Sequence, residues 1–324
     1  MADDQLREIS ESALNHLAAE LHAGKSNALK NLFDTMSKFR DYSWSNDLLI
    51  SQQRPTATRL FTKDKWNMLG RSVKEGEKQI TILKPVFTKE PDRTQTPRSP
   101  GQSATKKDQA SHPMEFGPHD LYDIEQTHGM PLPEIAKTTC GPREFVDKLK
   151  AFATKQGISL EYDKSISPTQ GVSFDGRIRL APDMKAAEEF SVLARELAHE
   201  MLHHGNGKAR LPETVLETQA DAVAYVVCRG VGLETKSAAA NYIHLYNGDK
   251  KTLTESLSVI QKTSSKILDH LLPQQHRSPF QEKAGRYLAE MAAQGSGEPG
   301  RTHQAGPTSS AQAPDHSDSV SLDR

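Results

Sequence analysis

Residues 196–204 read Glu-Leu-Ala-His-Glu-Met-Leu-His-His and contain the pattern His199-Glu200-x-x-His203. The flanking Leu197, Ala198, Met201 and Leu202 are apolar, which suits a helix lying on a core. Two histidines four residues apart share one helical face, so their imidazoles can reach a single ion. Glu200, beside the first histidine, can reach a water on that ion and act as general base. Placing such groups in an apolar setting is costly unless each finds a partner. The motif helix must therefore pack against a second element that brings polar groups to meet it.

The next apolar segment supplies that element. Residues 212–227 read Pro-Glu-Thr-Val-Leu-Glu-Thr-Gln-Ala-Asp-Ala-Val-Ala-Tyr-Val-Val, which is strongly helical. Glu217 completes a His2Glu set with His199 and His203 and leaves the fourth position to water. Zinc is the expected ion, bound by both histidine Nε2 atoms and one Glu217 oxygen at about 2.0–2.2 Å. Glu213, one turn earlier, is the alternative ligand. Asp221, one turn later, is placed to accept the remaining ring N–H of a ligand histidine and fix its tautomer. Tyr225, Tyr242 and His244 are candidate stabilisers of developing negative charge, though each reads equally well as a packing residue. Gly205 is a natural stop for the motif helix, and His204 is read as a helix-terminal group rather than a ligand.

The chain has 324 residues, enough for two modest domains, and a formal net charge of −1. The two cysteines, Cys140 and Cys228, are far apart and make no disulfide framework; Cys228 reads as a small buried hydrophobe. The N-terminus has no signal-peptide pattern, and no apolar run reaches bilayer-spanning length, so no membrane partner and a cytoplasmic location are expected. Residues 88–113 and 293–324 carry too little apolar surface to offset ordering entropy and are expected to be disordered. They frame an N-terminal domain over 1–135, interrupted by the first of these segments, and a second domain over 140–292.

The pattern along the chain is α+β. Helical stripes run through Leu6 to Leu21 and Leu29 to Phe39, followed by short helices over 46–53 and 63–69. Residues 79–87 alternate as a strand, with residues 120–126 as its partner. From residue 140 the order is a helix over 143–156, a strand over 158–162, and a hairpin over 171–180 turning at Asp175-Gly176. A long helix opened by Pro182-Asp183 then carries the motif, and helices follow over 213–227, around 235–247 and over 252–272. A short β-sheet, a motif helix and a following helix with a third ligand is the logic of a small zincin-like metallopeptidase domain.

Residues 54–89 carry a net charge of +6 inside this nearly neutral chain. Arg54, Arg59, Lys63, Lys65, Arg71, Lys74 and Lys78 contribute, with Trp66 among them and Trp44 nearby. Cations interleaved with aromatics suit single-stranded DNA, because bases stack without sequence preference and phosphates pair with Lys and Arg. The same pattern is found on ordinary solvated faces with aromatic cores.

Asn46-Asp-Leu-Leu-Ile50-Ser-Gln-Gln53, then Trp66-Asn-Met-Leu-Gly70-Arg71-Ser-Val73-Lys74-Glu-Gly76-Glu77-Lys-Gln-Ile80-Thr-Ile82 and Tyr122-Asp-Ile-Glu-Gln-Thr127, resemble the N-terminal domain of the ArdC antirestriction proteins. The resemblance implies a single-stranded-DNA-binding domain followed by a zincin-like metallopeptidase domain. The second part, with His199-Glu-x-x-His203 and Glu217-x-x-Ala-Asp221, is also similar to the metallopeptidases that include IrrE and ImmA-type regulators. Three functions follow as expectations. The first is a DNA-binding protein with an active zinc peptidase acting on an unidentified protein substrate or partner. The second is a regulatory protease that cleaves a repressor. The third is a DNA-binding protein whose zincin domain is structural.

Overall fold

The apolar stripes form helices where their spacing requires it. The computed structural model describes residues 2–86, 115–132, 141–203, 211–234, 242–246 and 249–272, all within the unit Met1–Arg277. Helix α1 (Ala2–His22) buries Leu17 and Leu21, and α2 (Asn27–Lys38) buries Leu29, Leu32, Phe33 and Met36. Helix α3 (Trp44–Gln53) starts at Ser43, whose side chain accepts a hydrogen bond from the Asn46 N–H. A three-stranded antiparallel sheet follows, in the order β1 (Leu60–Phe61), β4 (Glu115–Asp123), β3 (Ile80–Val86). Ile80 faces Leu121 across it.

Strand β3 lies at a sheet edge, and its outward backbone groups are taken up by α3. The Asn46 amide donates to Leu83 O and accepts from Leu83 N, both at 2.9 Å. The Gln53 amide does the same with Thr81 O and N at 2.9 and 3.0 Å. These two residues are seven apart, two helical turns, so both amides face the strand and cover an edge that would otherwise invite pairing with another chain.

Helix α4 (Lys63–Met68) leads to β2 (Arg71–Val73), which pairs with β5 (Thr127–Gly129). The strand expected over 120–126 stops at Asp123 and becomes a 3-10 turn over Ile124–Gln126. The reason is the fully buried Asp123 carboxylate, which accepts from the N–H groups of Thr58 (2.8 Å), Arg59 (2.9 Å) and Glu125 (3.1 Å). Gln126 reciprocates by accepting from the Asp123 N–H, completing a capping box.

In the second half, α5 (Pro142–Lys155) precedes a sheet ordered β6 (Ser159–Tyr162), β8 (Arg177–Leu180), β7 (Gly171–Phe174). Strand β8 runs parallel to β6 and antiparallel to β7. The β7–β8 hairpin turns at Asp175 and Gly176 as expected, with φ of +47° and +79°. Both being positive is the signature of a tight primed turn, which is why Asp-Gly stands there. Helix α6 (Ala186–His203) begins later than Pro182, because Asp183 adopts φ +66° outside the helical region. Strand β7 lies directly on α6: a Cβ at Gly171 would stand 2.6 Å from Val192 Cγ1 and 2.8 Å from Glu196 Cγ.

Helices α7 (Glu213–Gly230) and α8 (Lys250–Leu271) complete the unit. The larger core takes Leu17, Phe33 and Met36 from the N-terminal helices together with Phe190, Leu197, Val223, Val227, Leu257 and Ile267. Residues on both sides of 133–140 therefore share it. Polar ties reinforce the junction: Tyr225 donates to Asp34 at 2.8 Å, and Arg40 donates to Leu268 O at 3.1 Å. A smaller core of Ile50, Ala57, Leu60, Ile80, Ile82 and Leu121 underlies the first sheet.

The result is the expected mixed α+β class. Segments 88–113 and 293–324, and most of the helix expected around 235–247, lie outside the described residues; Tyr242–Leu245 forms a single 3-10 turn. Among the described residues no helix is long and apolar enough to cross a membrane.

Buried Glu189, in the first turn of α6, ties that helix to α5 and β6. It accepts from Arg143 Nη1 at 2.7 Å, Lys150 Nζ at 2.8 Å and the Tyr162 hydroxyl. Burial acts to raise its pKa, but the Lys150 and Tyr162 hydrogen bonds and the Lys150 charge outweigh it and hold the carboxyl below its ordinary 4.5. A depressed folded-state pKa contributes stability above the unfolded-state value, which is lost as pH falls through the folded-state value. Urea denaturation midpoints of the wild type should therefore drop on acidification below about pH 4.5. Glu189→Gln should be less stable at neutral pH and should show a shallower acid decline; an identical pH profile would refute the assignment.

Candidate metal centre

Helices α6 and α7 pack side by side, and their facing turns carry the motif residues. His199 Nδ1 lies 3.1 Å from His203 Nδ1, and His199 Nε2 lies 3.6 Å from Glu217 Oε1. His203 Nε2 lies 3.1 Å from Gln219 Oε1. The three expected ligands are thus brought together. The histidine atoms that face one another are the Nδ1 nitrogens, however, not the expected Nε2 pair. Two ligand atoms on one ion at about 2.0–2.2 Å stand roughly 3–3.5 Å apart, so the separations suit a shared cation. His199 meets its two neighbours through different ring nitrogens, and one ion can take only one of them. Among the described residues no group of three or more His, Cys, Asp or Glu is arranged as a formed metal site. In chemical terms the donor set fits a divalent cation: two imidazoles and a carboxylate, with His199 in contact with both His203 and Glu217.

Glu200 is buried and is not part of that triad. Its Oε2 accepts from the backbone N–H of Gly176 at 2.8 Å, so the hairpin turn clamps the motif glutamate. The sequence offered no direct sign of this contact, although Asp-Gly marked the turn itself. Asp221, expected on a histidine ring, instead accepts from Arg195 Nε at 3.0 Å. Arg195 also donates through Nη1 to Glu196 Oε1 at 3.2 Å and through Nη2 to Glu217 Oε2. Arg195, Glu196 and Gln219 were missed at the sequence level. Arg195 could have been found, since it stands one turn before His199 on the same face. Burial raises the pKa of Glu196 and, first among its causes, that of Asp221, with the Arg195 charge opposing both shifts. Glu213 is exposed, and Tyr225 and Tyr242 are buried in the core, so neither tyrosine is open to a substrate. His244 is exposed.

The expected DNA-contact residues divide. Trp66 is fully buried: its Nε1 donates to Tyr122 O at 2.8 Å, and its ring meets Phe61 edge-on at 5.0 Å. It is a core anchor and offers no face for base stacking, which corrects the expectation. Aromatic residues among cations mark a stacking surface and a buried core equally well in sequence, and here the nearby sheet closes over the ring. Arg71 lies with its guanidinium 6.0 Å from the Trp66 centroid and donates to Thr127 Oγ1, Thr127 O and Met130 O. Arg54 faces Glu125, Glu77 and Asp123 at 3.3, 3.8 and 3.9 Å, and Lys74 Nζ donates to Glu125 O at 2.7 Å. Lys63, Lys65 and Lys78 are exposed and Arg59 is partly so. The large apolar side chains exposed near them are Met68 and Met130.

Residues 4–116 match the N-terminal domain of the anti-restriction factor ArdC. The N-terminal third of the chain is similar to that domain. The chain's fold is similar to that of the antirestriction ArdC protein from the R388 plasmid, in the crystal structure of the Mn(II)-bound form, with a TM-score of 0.51 at 16% identity. That similarity covers 82% of this chain and 99% of the other. The metal-free crystal structure of the same protein aligns with a TM-score of 0.49 over the same shares. An uncharacterized protein of Bacillus anthracis is 22% identical over 303 residues, 82% of this chain and 51% of that protein. The chain thus spans about half the length of that relative.

The burial of Trp66 has a direct readout. The chain has two tryptophans, and Trp44 is partly exposed. Iodide should quench the wild type through Trp44, while Trp44→Phe should leave an emission almost inaccessible to quencher. Strong quenching of the folded Trp44→Phe protein would restore Trp66 as a surface residue.

Proposed function

We propose that this chain is an antirestriction factor of ArdC type, combining a single-stranded-DNA-binding N-terminal part with a metal-dependent peptidase centre. The observation that carries the peptidase reading is the meeting of His199, His203 and Glu217 beside a Glu200 clamped by the hairpin turn. His199, His203 and Glu217 would hold the cation. When bound, a divalent cation at such a centre supplies Lewis acidity and lowers the pKa of its water. Glu200, oriented through Oε2 by Gly176, would act as the proton-accepting general base. The buried apolar flanks of α6 limit competing water. Zinc remains the expected ion, and manganese is the second, in view of the Mn(II)-bound ArdC form.

Equilibrium dialysis of the purified chain with zinc or manganese should give one ion per chain. His199→Ala and His203→Ala should lose it, and removal by chelator should lower the thermal midpoint. Glu200→Gln should keep the ion and lose peptide cleavage by roughly 10²–10⁴-fold, the usual loss when a proton-transfer group is removed. A Glu200→Gln protein as active as the wild type would sink the mechanism. A loaded wild type that cleaves no candidate partner would favour a structural zincin.

The DNA reading rests on the +6 stretch and on the exposed Lys63, Lys65 and Lys78 within it. Arg54 and Arg71 serve mainly to hold the fold around β4 and β5. Fluorescence anisotropy of the full chain with a labelled single strand should show sequence-tolerant binding that weakens with salt. The triple exchange of Lys63, Lys65 and Lys78 for Ala should weaken all sequences alike. It should also reduce the salt slope by roughly 0.7 for each phosphate no longer neutralised. Undiminished binding by that variant would refute the surface.

A further inference from the structure

We propose that Arg195 is the positioning residue of the candidate metal centre, holding Glu217 so that a single carboxylate oxygen faces His199. This rests on the metal reading above and concerns how that site is built. Arg195 stands one turn before His199 on α6, and its guanidinium meets three carboxylates at once. Asp221 Oδ1 takes Nε at 3.0 Å, Glu196 Oε1 takes Nη1 at 3.2 Å, and Glu217 Oε2 takes Nη2. The remaining Glu217 oxygen, Oε1, points to His199 Nε2 at 3.6 Å. The two oxygens of Glu217 are thus divided, one to the guanidinium and one to His199.

That division has consequences for coordination. A carboxylate with one oxygen drawn to a guanidinium presents the other to an ion, which favours one-pronged ligation and keeps a coordination position open for water. Glu217 is otherwise held loosely, since its side chain is 44% exposed, and without Arg195 it could swing away or bind through both oxygens. Asp221 acts one step further out, orienting the arginine rather than a histidine. Glu196, buried on the adjacent turn, holds the third edge of the guanidinium. The task needs a planar fork with several fixed N–H groups, which Arg has and Lys lacks. It also needs a cation, because Glu196, Glu217 and Asp221 would otherwise repel one another across the helix seam.

The test is the affinity of the full chain for zinc and for manganese alone, by chelator competition. Wild type, Arg195→Met, Arg195→Lys and the control His199→Ala are compared. Removing a partner that orients a metal ligand commonly lowers affinity by 10–100-fold, and Arg195→Met is expected to fall in that range with one ion per chain retained. Arg195→Lys keeps the charge without the fork and should still bind about tenfold more weakly. With Co(II) as the probe, Arg195→Met should show the weaker absorption of a higher coordination number, as Glu217 becomes two-pronged; a purely structural role would leave that spectrum unchanged. Circular dichroism of the metal-free proteins checks folding, and Arg195→Lys decides the matter if Arg195→Met does not fold. Affinity and Co(II) spectrum unchanged in both folded variants, or tighter binding, would overturn the inference while leaving the metal reading intact. A wild type that binds no better than His199→Ala would remove the metal reading, and the inference with it.

Discussion

The packing of α7 against its neighbours is the constraint on which the rest depends. From Thr218 to Cys228 every side chain except Asp221 is buried, and small residues dominate the run. Small side chains let other helices approach closely on several sides at once, and Gly230 continues this at the end of the helix. A Cβ there would stand 2.6 Å from Leu268 Cδ2 of α8. Around α7 gather α6 on one side, α8 on another, and α2 from the N-terminal part, whose Phe33 ring lies 6.5 Å from that of Tyr225. Apolar burial of this kind contributes roughly 25 cal/mol per Å² removed from water, so a helix covered on several faces is a large share of what holds the chain together.

A helix seam that is only partly open to water and carries charge must answer for it. Across α6 and α7, Glu196, Glu217 and Asp221 converge on Arg195, while Glu200 takes the Gly176 N–H and His203 meets Gln219. Gln219 in turn donates to Ser256 of α8 at 2.8 Å. Through the His199–Glu217 contact the polar groups other than Glu200 form a connected set, which is the condition under which buried polar groups are tolerated. This set orients the histidines and the hairpin turn orients Glu200, so packing and site geometry share their supports.

The N-terminal part shows the same economy in a different form. Cations that look available in the sequence are tied to backbone or to acids: Arg71 to the carbonyls of β5, Lys74 to that of Glu125, Arg54 to a cluster of carboxylates. Buried Asp123 collects three N–H groups at the end of β4. What stays exposed are Lys63 and Lys65 on α4, and Lys78.

The sequence alone determined the local features. Four-residue spacing put His199 and His203 on one face, Asp175-Gly176 marked a primed turn, and alternation over 79–87 marked a strand, because each is set by backbone periodicity within a few residues. The α+β class followed from the same patterns, and the resemblance to ArdC from the residue strings at 46–53, 66–82 and 122–127. Tertiary structure alone decided which groups meet across elements. That Asp221 holds an arginine rather than a histidine, that Gly176 clamps Glu200, that Trp66 faces inward and that α2 shares a core with α7 all depend on residues far apart in the chain. Side chains of one type serve inside and outside equally well until the packing of distant elements removes water from one face, and a single sequence records no measure of that removal.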